Sequence, residues 1–145
     1  MTISIGSDHA GFSYKQELTS LLESLGHTVI DVGTTSEESV DYPDYGTAAA
    51  ALVRDGNADV GVLICGSGIG ISIAANKLQG IRAANCTSVE MAQLARQHND
   101  ANVVAVGQRL VSIELAKDIV TAFLSTPFEG GRHQRRVDKL NGVQS

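Results

Sequence analysis

The sequence predicts an α/β fold: a three-layer α-β-α sandwich built on a five-stranded parallel, Rossmann-like (flavodoxin-like) sheet, followed by a C-terminal helical tail. Five short apolar runs rich in β-branched residues are typical of strands buried on both faces. Amphipathic helical patterns separate these runs, and such alternation is typical of parallel strands joined by right-handed crossovers. Ligands of such sheets bind at the carboxyl ends of the strands, so we expect the functional residues there.

The predicted strands cover residues 3–6, 28–32, 60–65, 81–86 and 103–106. After the first strand, leucines from Leu18 to Leu25 recur at i, i+3, i+4 and i+7, which predicts a first helix that stops at Gly26. Pro43 suits the first turn of a second helix, with Asp41 as its candidate cap and a stop near residue 56.

Three more helices complete the alternation. A short one is predicted over residues 71–76, directly after the third strand and a glycine-rich turn. Thr87 or Ser88 can cap the next, and Ser112 can cap the last, because apolar residues at helical spacing follow each of them.

Composition narrows the class of protein. No proline-rich, serine-rich or low-complexity linker divides the 145 residues, so residues 1–145 are predicted to form a single domain. A net charge of −5 argues against a nucleic-acid partner. The chain has no secretory h-region and no apolar run near the roughly 18 residues of a membrane span, which predicts a cytoplasmic protein without a membrane partner.

Cys65 ends the third predicted strand and leads straight into a turn with glycines at positions 66, 68 and 70. Glycines let backbone N–H groups approach a ligand closely, and the start of the following helix favours negative charge. A thiol there should form a thiolate more easily than an ordinary cysteine. The sequence therefore predicts a reactive thiolate beside an anion hole, whereas Cys86 is interpreted as a packing residue.

The glycine-rich turn does not match the common nucleotide motifs. It lacks the spacing of a G-x-G-x-x-G dinucleotide fingerprint and the Gly-Lys-Ser/Thr end of a Walker loop. Neither Cys65 nor Cys86 has C-x-x-C spacing, and a lone disulfide is not expected in a chain without a secretory leader. Both cysteines are therefore predicted to be free thiols.

Polar residues also follow other strands. Asp8 and His9 come after the first strand and Arg109 after the fifth, so these residues should share one rim with Cys65. Asp8 and His9 have an alternative interpretation as a cap and turn of the first helix. The function of this pair is left open by the residues alone.

Two groups lie outside that rim. His98 falls at the end of the fourth helix, where a solvated imidazole is the simpler interpretation. Arg132 and Arg136 are four residues apart, so on a helix they would face the same way and suit a phosphate. The alternative for this arginine-rich segment is an exposed basic face.

Five segments together resemble the family of ribose-5-phosphate isomerase type B, which includes galactose-6-phosphate isomerase subunits and isomerases of allose 6-phosphate. They are GSDHAGF at 6–12, DYP at 41–43, CGSGIGISIAANK at 65–77, RQHND at 96–100 and EGGRH at 129–133. The resemblance implies an aldose-ketose isomerase of the non-oxidative pentose phosphate pathway, acting on ribose 5-phosphate and ribulose 5-phosphate. It implies no cofactor and no metal.

The same resemblance assigns roles by position. Cys65 is the implied base, since no Asp or Glu occurs between it and Glu90, and His98 is the acid that opens the sugar ring, helped by Asp8. The implied catalytic residues are Cys65, His98, Asp8 and Ser67. The implied substrate-binding residues are Asp8, His9, Tyr42, Gly66, Ser67, Gly68, Ile69, Gly70, Asn99, Arg109, Arg132 and Arg136, with Arg135 as a neighbour.

The resemblance further implies a homodimer, with tetramers as a second possibility, in which each site is built from two chains. Two other functions stay open. One is a hexose 6-phosphate isomerase acting on allose or galactose 6-phosphate, and the other is a non-catalytic module that binds a sugar phosphate.

Overall fold

The computed structural model describes residues 1–143, which carry one five-stranded parallel sheet covered by helices on both faces. The strands are β1 (Thr2–Ser7), β2 (Thr28–Asp31), β3 (Val60–Cys65), β4 (Ala83–Asn85) and β5 (Val103–Gly107). The helices are α1 (Phe12–Ser24), α2 (Tyr42–Arg54), α3 (Ile69–Asn76), α4 (Val89–Asn99), α5 (Ile113–Ser125) and α6 (Arg132–Asn141). The predicted α/β sandwich with a C-terminal helical tail is confirmed.

Most element boundaries agree with the sequence, and β4 is the main exception. It covers three residues instead of the predicted six because it is an edge strand paired only with β5. The backbone N–H of Arg82 donates to the side chain of Asn102 at 2.8 Å, and the N–H of Ile81 donates to the carbonyl of Leu78 at 3.2 Å, so regular pairing begins only at Ala83. The predicted strand over residues 81–86 has the right position but is too long.

The helix caps give a mixed result. Ser88, not Thr87, caps α4 by accepting from the N–H of Met91 at 3.1 Å, and Ser112 caps α5 in the same way. Asp41 occupies the N-cap position of α2, but its side chain makes no capping hydrogen bond. The prediction of Asp41 as a side-chain cap is wrong, and the proline at the second helical position defines that end instead.

Two apolar layers hold the sheet. One lies between the sheet and α1, α4 and α5, and includes the fully buried Ile5, Ile64 and Phe123. The other lies between the sheet and α2 and α3, and includes Leu63 and Ile71. Ile64 and Leu63 are consecutive in β3 and point to opposite layers, so a slip of one residue would exchange their faces.

This register decides where the strand ends meet. The sheet order is β2-β1-β3-β5-β4, which puts β1, β3 and β5 side by side at its centre. Ser7 pairs with Ile64, and Cys65 pairs with Gly107, so the segments that follow these three strands emerge together. We call this edge the carboxyl rim.

Within residues 1–143, every helix is too short or too polar to cross a bilayer. The cytoplasmic location and the single domain over residues 1–145 stay predictions. The two cysteines are free and buried, as expected.

Candidate active site

Cys65 lies at the carboxyl rim with its sulfur against the glycine-rich turn. The backbone N–H of Gly68 donates a hydrogen bond to Sγ of Cys65 at 3.1 Å. Gly68 has a φ of 79°, a left-handed conformation that glycine adopts without steric cost, and α3 begins directly after it. The structure therefore brings together the thiol, a backbone N–H group and the start of a helix, as the sequence predicts.

Ser67 shapes the same turn. Its hydroxyl accepts a hydrogen bond from the backbone N–H of Ile69 at 3.1 Å, at the first residue of α3. This contact gives the Ser67 side chain a local structural role, and its O–H remains able to donate to a ligand.

Close packing brings two further predicted residues to the turn. A side-chain carbon built at Gly70 would lie 2.6 Å from the ring of Tyr42, and one at Gly66 would lie 3.1 Å from the guanidinium of Arg109. Tyr42 therefore covers one end of the turn, and Arg109 covers the other. Both side chains come from segments far apart in sequence, and their proximity follows from the strand order.

Asp8 and His9 also lie at the rim, and each has a structural contact. Oδ1 of Asp8 accepts from the backbone N–H groups of Ala10 and Gly11 at 3.0 and 3.2 Å. Nδ1 of His9 accepts from the backbone N–H of Val40 at 3.1 Å, so the proton of a neutral His9 ring lies on Nε2. Asp8 therefore caps the short 3-10 turn His9–Gly11 that leads into α1, so the cap-and-turn interpretation holds for this turn and not for α1 itself. Each side chain keeps one atom for a ligand.

His98 lies at the other edge of the sheet. Helix α4 starts after the carboxyl end of β4 and returns the chain to the amino end of β5, so His98 and Asn99 sit near the amino ends of the strands. The backbone of Asn102 confirms this placement, because its carbonyl accepts from Gly61 at the start of β3. Within one chain, His98 and Cys65 are therefore separated by the length of β5, on the order of 15 Å.

His98 is part of a cluster with Glu129 and His133. Oε1 of Glu129 lies 3.9 Å from Nε2 of His98 and 3.5 Å from Nε2 of His133. The two imidazole rings stack, with centroids 4.3 Å apart and planes inclined by 12°. Arg132 opens helix α6 beside this cluster, and Arg136 follows one turn later, so both stay away from the carboxyl rim of their own chain.

The three ligand atoms of this cluster lie within 4.8 Å of one another, which invites comparison with a metal site. Imidazole binds metals through lone pairs in the ring plane, and two nearly parallel rings cannot direct those lone pairs at one ion. Burial lowers the pKa of His133, and nearby His98, Arg132 and Arg136 lower it further, although Glu129 opposes them. The same positive field disfavours a cation.

Asn85 is a contact of the turn that the sequence argument missed. It ends β4, and its Nδ2 lies 3.5 Å from the carbonyl oxygen of Ser67. A polar residue at the end of an apolar strand was the available sign, but Asn85 was hidden inside the longer predicted strand.

The chain is similar to known proteins over almost its whole length. Residues 3–140 match the family model described as Ribose/Galactose Isomerase. The chain is 52% identical to ribose-5-phosphate isomerase B of Escherichia coli over 142 residues, 98% of this chain and 95% of that protein. It is 43% identical to galactose-6-phosphate isomerase subunit LacB of Clostridium acetobutylicum over 139 residues, 96% of this chain and 80% of that protein.

A solved structure of Clostridium thermocellum ribose-5-phosphate isomerase B has the same fold. It superposes with a TM-score of 0.97 at 53% sequence identity, covering 98% of this chain and 96% of the other.

Proposed function

The chain belongs to the ribose/galactose isomerase family, and from that premise we propose that it interconverts D-ribose 5-phosphate and D-ribulose 5-phosphate with Cys65 as the base. As a member of this family the chain is an isomerase. Relatives named ribose-5-phosphate isomerase B, at 52% and 53% identity, support the pentose substrate. The observation that carries the mechanism is the hydrogen bond from Gly68 to Sγ of Cys65.

The reaction needs a base, an acid and a site for developing negative charge. After the sugar ring opens, the Cys65 thiolate takes the proton from C2, and electrons move onto the aldehyde oxygen to give an enediolate. The thiol then returns the proton to C1, and the hydroxyl proton passes from O2 to O1, so the product is an isomer of the substrate. The amides of the glycine-rich turn and the Ser67 hydroxyl stabilise the enediolate oxygen.

The Gly68 hydrogen bond supports Cys65 as the base because an N–H donor favours the thiolate over the neutral thiol. The positive end of α3 acts in the same direction. The turn has no carboxylate of its own to act as the base, because the next acidic residue along the chain is Glu90.

Ring opening is assigned to His98 from a second copy of the chain. Because His98 and Cys65 lie at opposite edges of one sheet, a single chain cannot bring them to the same sugar. A homodimer that sets the α4 and α6 ends of one copy against the carboxyl rim of the other would complete two sites. Asp8 assists from the rim, since its two amide contacts both use Oδ1.

The phosphate is assigned to groups from both copies. His9 and Arg109 lie at the rim, and Nε2 of His9 is the ring nitrogen left to donate. Arg132 and Arg136 of the second copy would approach from α6, with Asn99 beside them for a sugar hydroxyl. Arginine suits phosphate because its planar guanidinium donates two parallel hydrogen bonds. No cofactor or metal has a role in this scheme.

The first experiment measures turnover of ribose 5-phosphate in excess chelator, with allose 6-phosphate and galactose 6-phosphate as competing substrates. The same reaction in deuterium oxide should give ribulose 5-phosphate with deuterium at C1, because the proton passes through an exchangeable thiol. A preference for a hexose would favour the second candidate function, a hexose 6-phosphate isomerase, which the galactose-6-phosphate isomerase relative supports. No turnover of any of the three sugars would overturn the proposal.

A matched pair of cysteine variants tests the base. Cys65→Ala should lose at least about a thousandfold in kcat while still binding the sugar phosphate. Cys86→Ala is the control, since Cys86 is buried in the larger apolar layer and should leave turnover unchanged. A Cys65→Ala protein with substantial turnover would remove Cys65 from this role, and retained binding without turnover in the wild-type protein would favour a non-catalytic module.

A further inference from the structure

Asn85 contacts the glycine-rich turn, and the mechanism above does not use it. Its Nδ2 donates a long hydrogen bond, 3.5 Å, to the carbonyl oxygen of Ser67. Its Oδ1 is buried and, among residues 1–143, has no hydrogen-bond donor. A side-chain carbon built at Gly68 would lie 2.3 Å from this oxygen, so the Asn85 amide packs directly against the Gly68 backbone.

The peptide between Ser67 and Gly68 has two ends with opposite partners. In a trans peptide the C=O and N–H groups point in opposite directions. The C=O of this peptide faces Nδ2 of Asn85, and its N–H faces Sγ of Cys65 at 3.1 Å. Whatever holds the carbonyl therefore also aims the amide at the sulfur.

The local backbone around Gly68 does not fix this orientation by itself. Gly68 has no side chain and adopts positive and negative φ about equally readily, so the peptide before it can turn over at little steric cost. A flipped peptide would present a carbonyl oxygen to the Cys65 thiolate, which would repel it. Contacts from outside the turn are therefore needed: the Gly107 backbone packs against the Ser67 carbonyl, and Asn85 is placed to donate a hydrogen bond to it.

The unpaired Oδ1 strengthens this interpretation. A buried polar atom without a partner opposes folding, and an apolar side chain of similar size would fill this position without that penalty. The hydrogen bond from Nδ2 to the Ser67 carbonyl gives a reason for an amide at this position.

We propose that Asn85 is a positioning residue that holds the Ser67–Gly68 peptide with its N–H directed at Sγ of Cys65. Its effect on the thiol does not depend on the substrate, whereas its effect on turnover rests on the function proposed above. The two can therefore be measured separately.

The test uses Asn85→Leu and Asn85→Asp in the full chain. Leucine removes the donor, and aspartate keeps the shape but sets a carboxylate oxygen against the Ser67 carbonyl. The first readout is the rate of Cys65 alkylation by iodoacetamide across pH, assigned by peptide mass spectrometry. The second is the separation of kcat from KM with ribose 5-phosphate.

Asn76→Leu is the matched control. The Asn76 side chain also holds β4, through hydrogen bonds of 2.7 and 3.0 Å to the backbone of Ala83, but it does not touch the turn. Its loss should loosen the same strand without changing the orientation of the peptide. Melting temperatures of all three variants show whether each one folds.

In both Asn85 variants we expect alkylation at pH 7 to slow about three- to tenfold and its pH profile to move to higher pH, as for a lost hydrogen bond to a charged group. Turnover should fall about ten- to a hundredfold with little change in KM. Wild-type alkylation profiles in both variants, or an equal shift in Asn76→Leu, would overturn the proposal. A shifted profile in a protein that turns over none of the sugars would support the positioning role and reject the proposed function instead.

Discussion

The imidazole rings of His98 and His133 stack face to face, with their centroids 4.3 Å apart. The side chain of His133 is 10% exposed, whereas that of His98 is 41% exposed. The buried ring therefore provides a platform for the exposed one. A ring held in this way can be presented to a second copy of the chain in one orientation, which suits the acid proposed for ring opening.

The stack predicts a pH dependence of stability. Burial and the nearby positive charges lower the pKa of His133 below its ordinary value of 6.5, so the folded chain binds fewer protons than the unfolded chain. The stability contributed by neutral His133 is present above pH 6.5 and is lost as the pH falls. We expect His133→Asn to flatten the decline in the free energy of unfolding between pH 7 and pH 5.

Urea denaturation at fixed protein concentration measures this slope. His27→Gln is the control, because His27 contacts the amino terminus and lies far from the cluster. A His133→Asn slope equal to that of the wild type would contradict the prediction.

Mixing two inactive variants tests the shared site. Cys65→Ala and His98→Ala should each be nearly inactive alone, but in the proposed homodimer a mixed pair would contain one site with both wild-type groups. Because random exchange makes half of the dimers mixed, with one intact site of two, we expect activity to recover to about one quarter of the wild-type value. The measurement is turnover after co-refolding at equal concentrations. No recovery, despite mixed dimers seen by native mass spectrometry, would place both groups in one chain.

The two cysteines should differ in reactivity. Burial raises the pKa of Cys86 to about 11, so this residue stays a neutral, unreactive thiol at pH 8. Cys65 lies at the carboxyl rim with a backbone N–H donor against its sulfur, so iodoacetamide should modify it first. Peptide mapping after brief alkylation checks this order, and ribose 5-phosphate should slow the modification of Cys65. Preferential labelling of Cys86 would contradict the prediction that Cys65 is the more reactive thiol.

Gly107, the last residue of β5, packs against the backbone of the glycine-rich turn. A side-chain carbon there would lie 2.5 Å from the carbonyl carbon of Ser67, so the turn must move in Gly107→Ala. We expect kcat to fall about a hundredfold and stability to fall by about 2 kcal/mol. Gly61→Ala is the control, because its new carbon meets only side-chain atoms, the nearest at 3.1 Å, at the other end of β3. Steady-state kinetics measures the fall in kcat, and urea denaturation measures the fall in stability. An equal loss of kcat in both variants would contradict the prediction.

A buried lysine gives a prediction about stability alone. The Lys15 side chain is 4% exposed, and its Nζ lies 2.7 Å from Oδ2 of Asp31, which is 40% exposed. Asp31→Asn leaves the ammonium buried without its counter-charge and should cost about 2 kcal/mol, less than a fully buried pair because Asp31 meets solvent. Lys15→Met removes the charge and keeps the stem, so it should cost less.

Urea denaturation of both variants shows which substitution lowers the free energy of unfolding more. Asp55→Asn, in the exposed pair with Arg54, is the control and should leave the midpoint unchanged. A larger loss of unfolding free energy for Lys15→Met than for Asp31→Asn would contradict the prediction.

The sequence by itself determined the alternation of strands and helices, because the apolar runs and helical spacings are local patterns. It also determined the chemistry of the turn, since a cysteine, alternate glycines and a helix start are consecutive in the chain. The resemblance of five segments to one family named the remaining candidate residues, but it carried no distances between them.

The strand ends also predicted that Asp8, Cys65 and Arg109 share one rim and that His98 lies outside it. Only the tertiary structure decided what His98 meets: α4 runs back along the sheet before β5 begins, and His98 comes to lie beside Glu129 and His133. It also decided that Asn85 faces the Ser67 carbonyl, a contact between residues 18 positions apart. Such contacts depend on the packing of separate elements, and no local spacing encodes them.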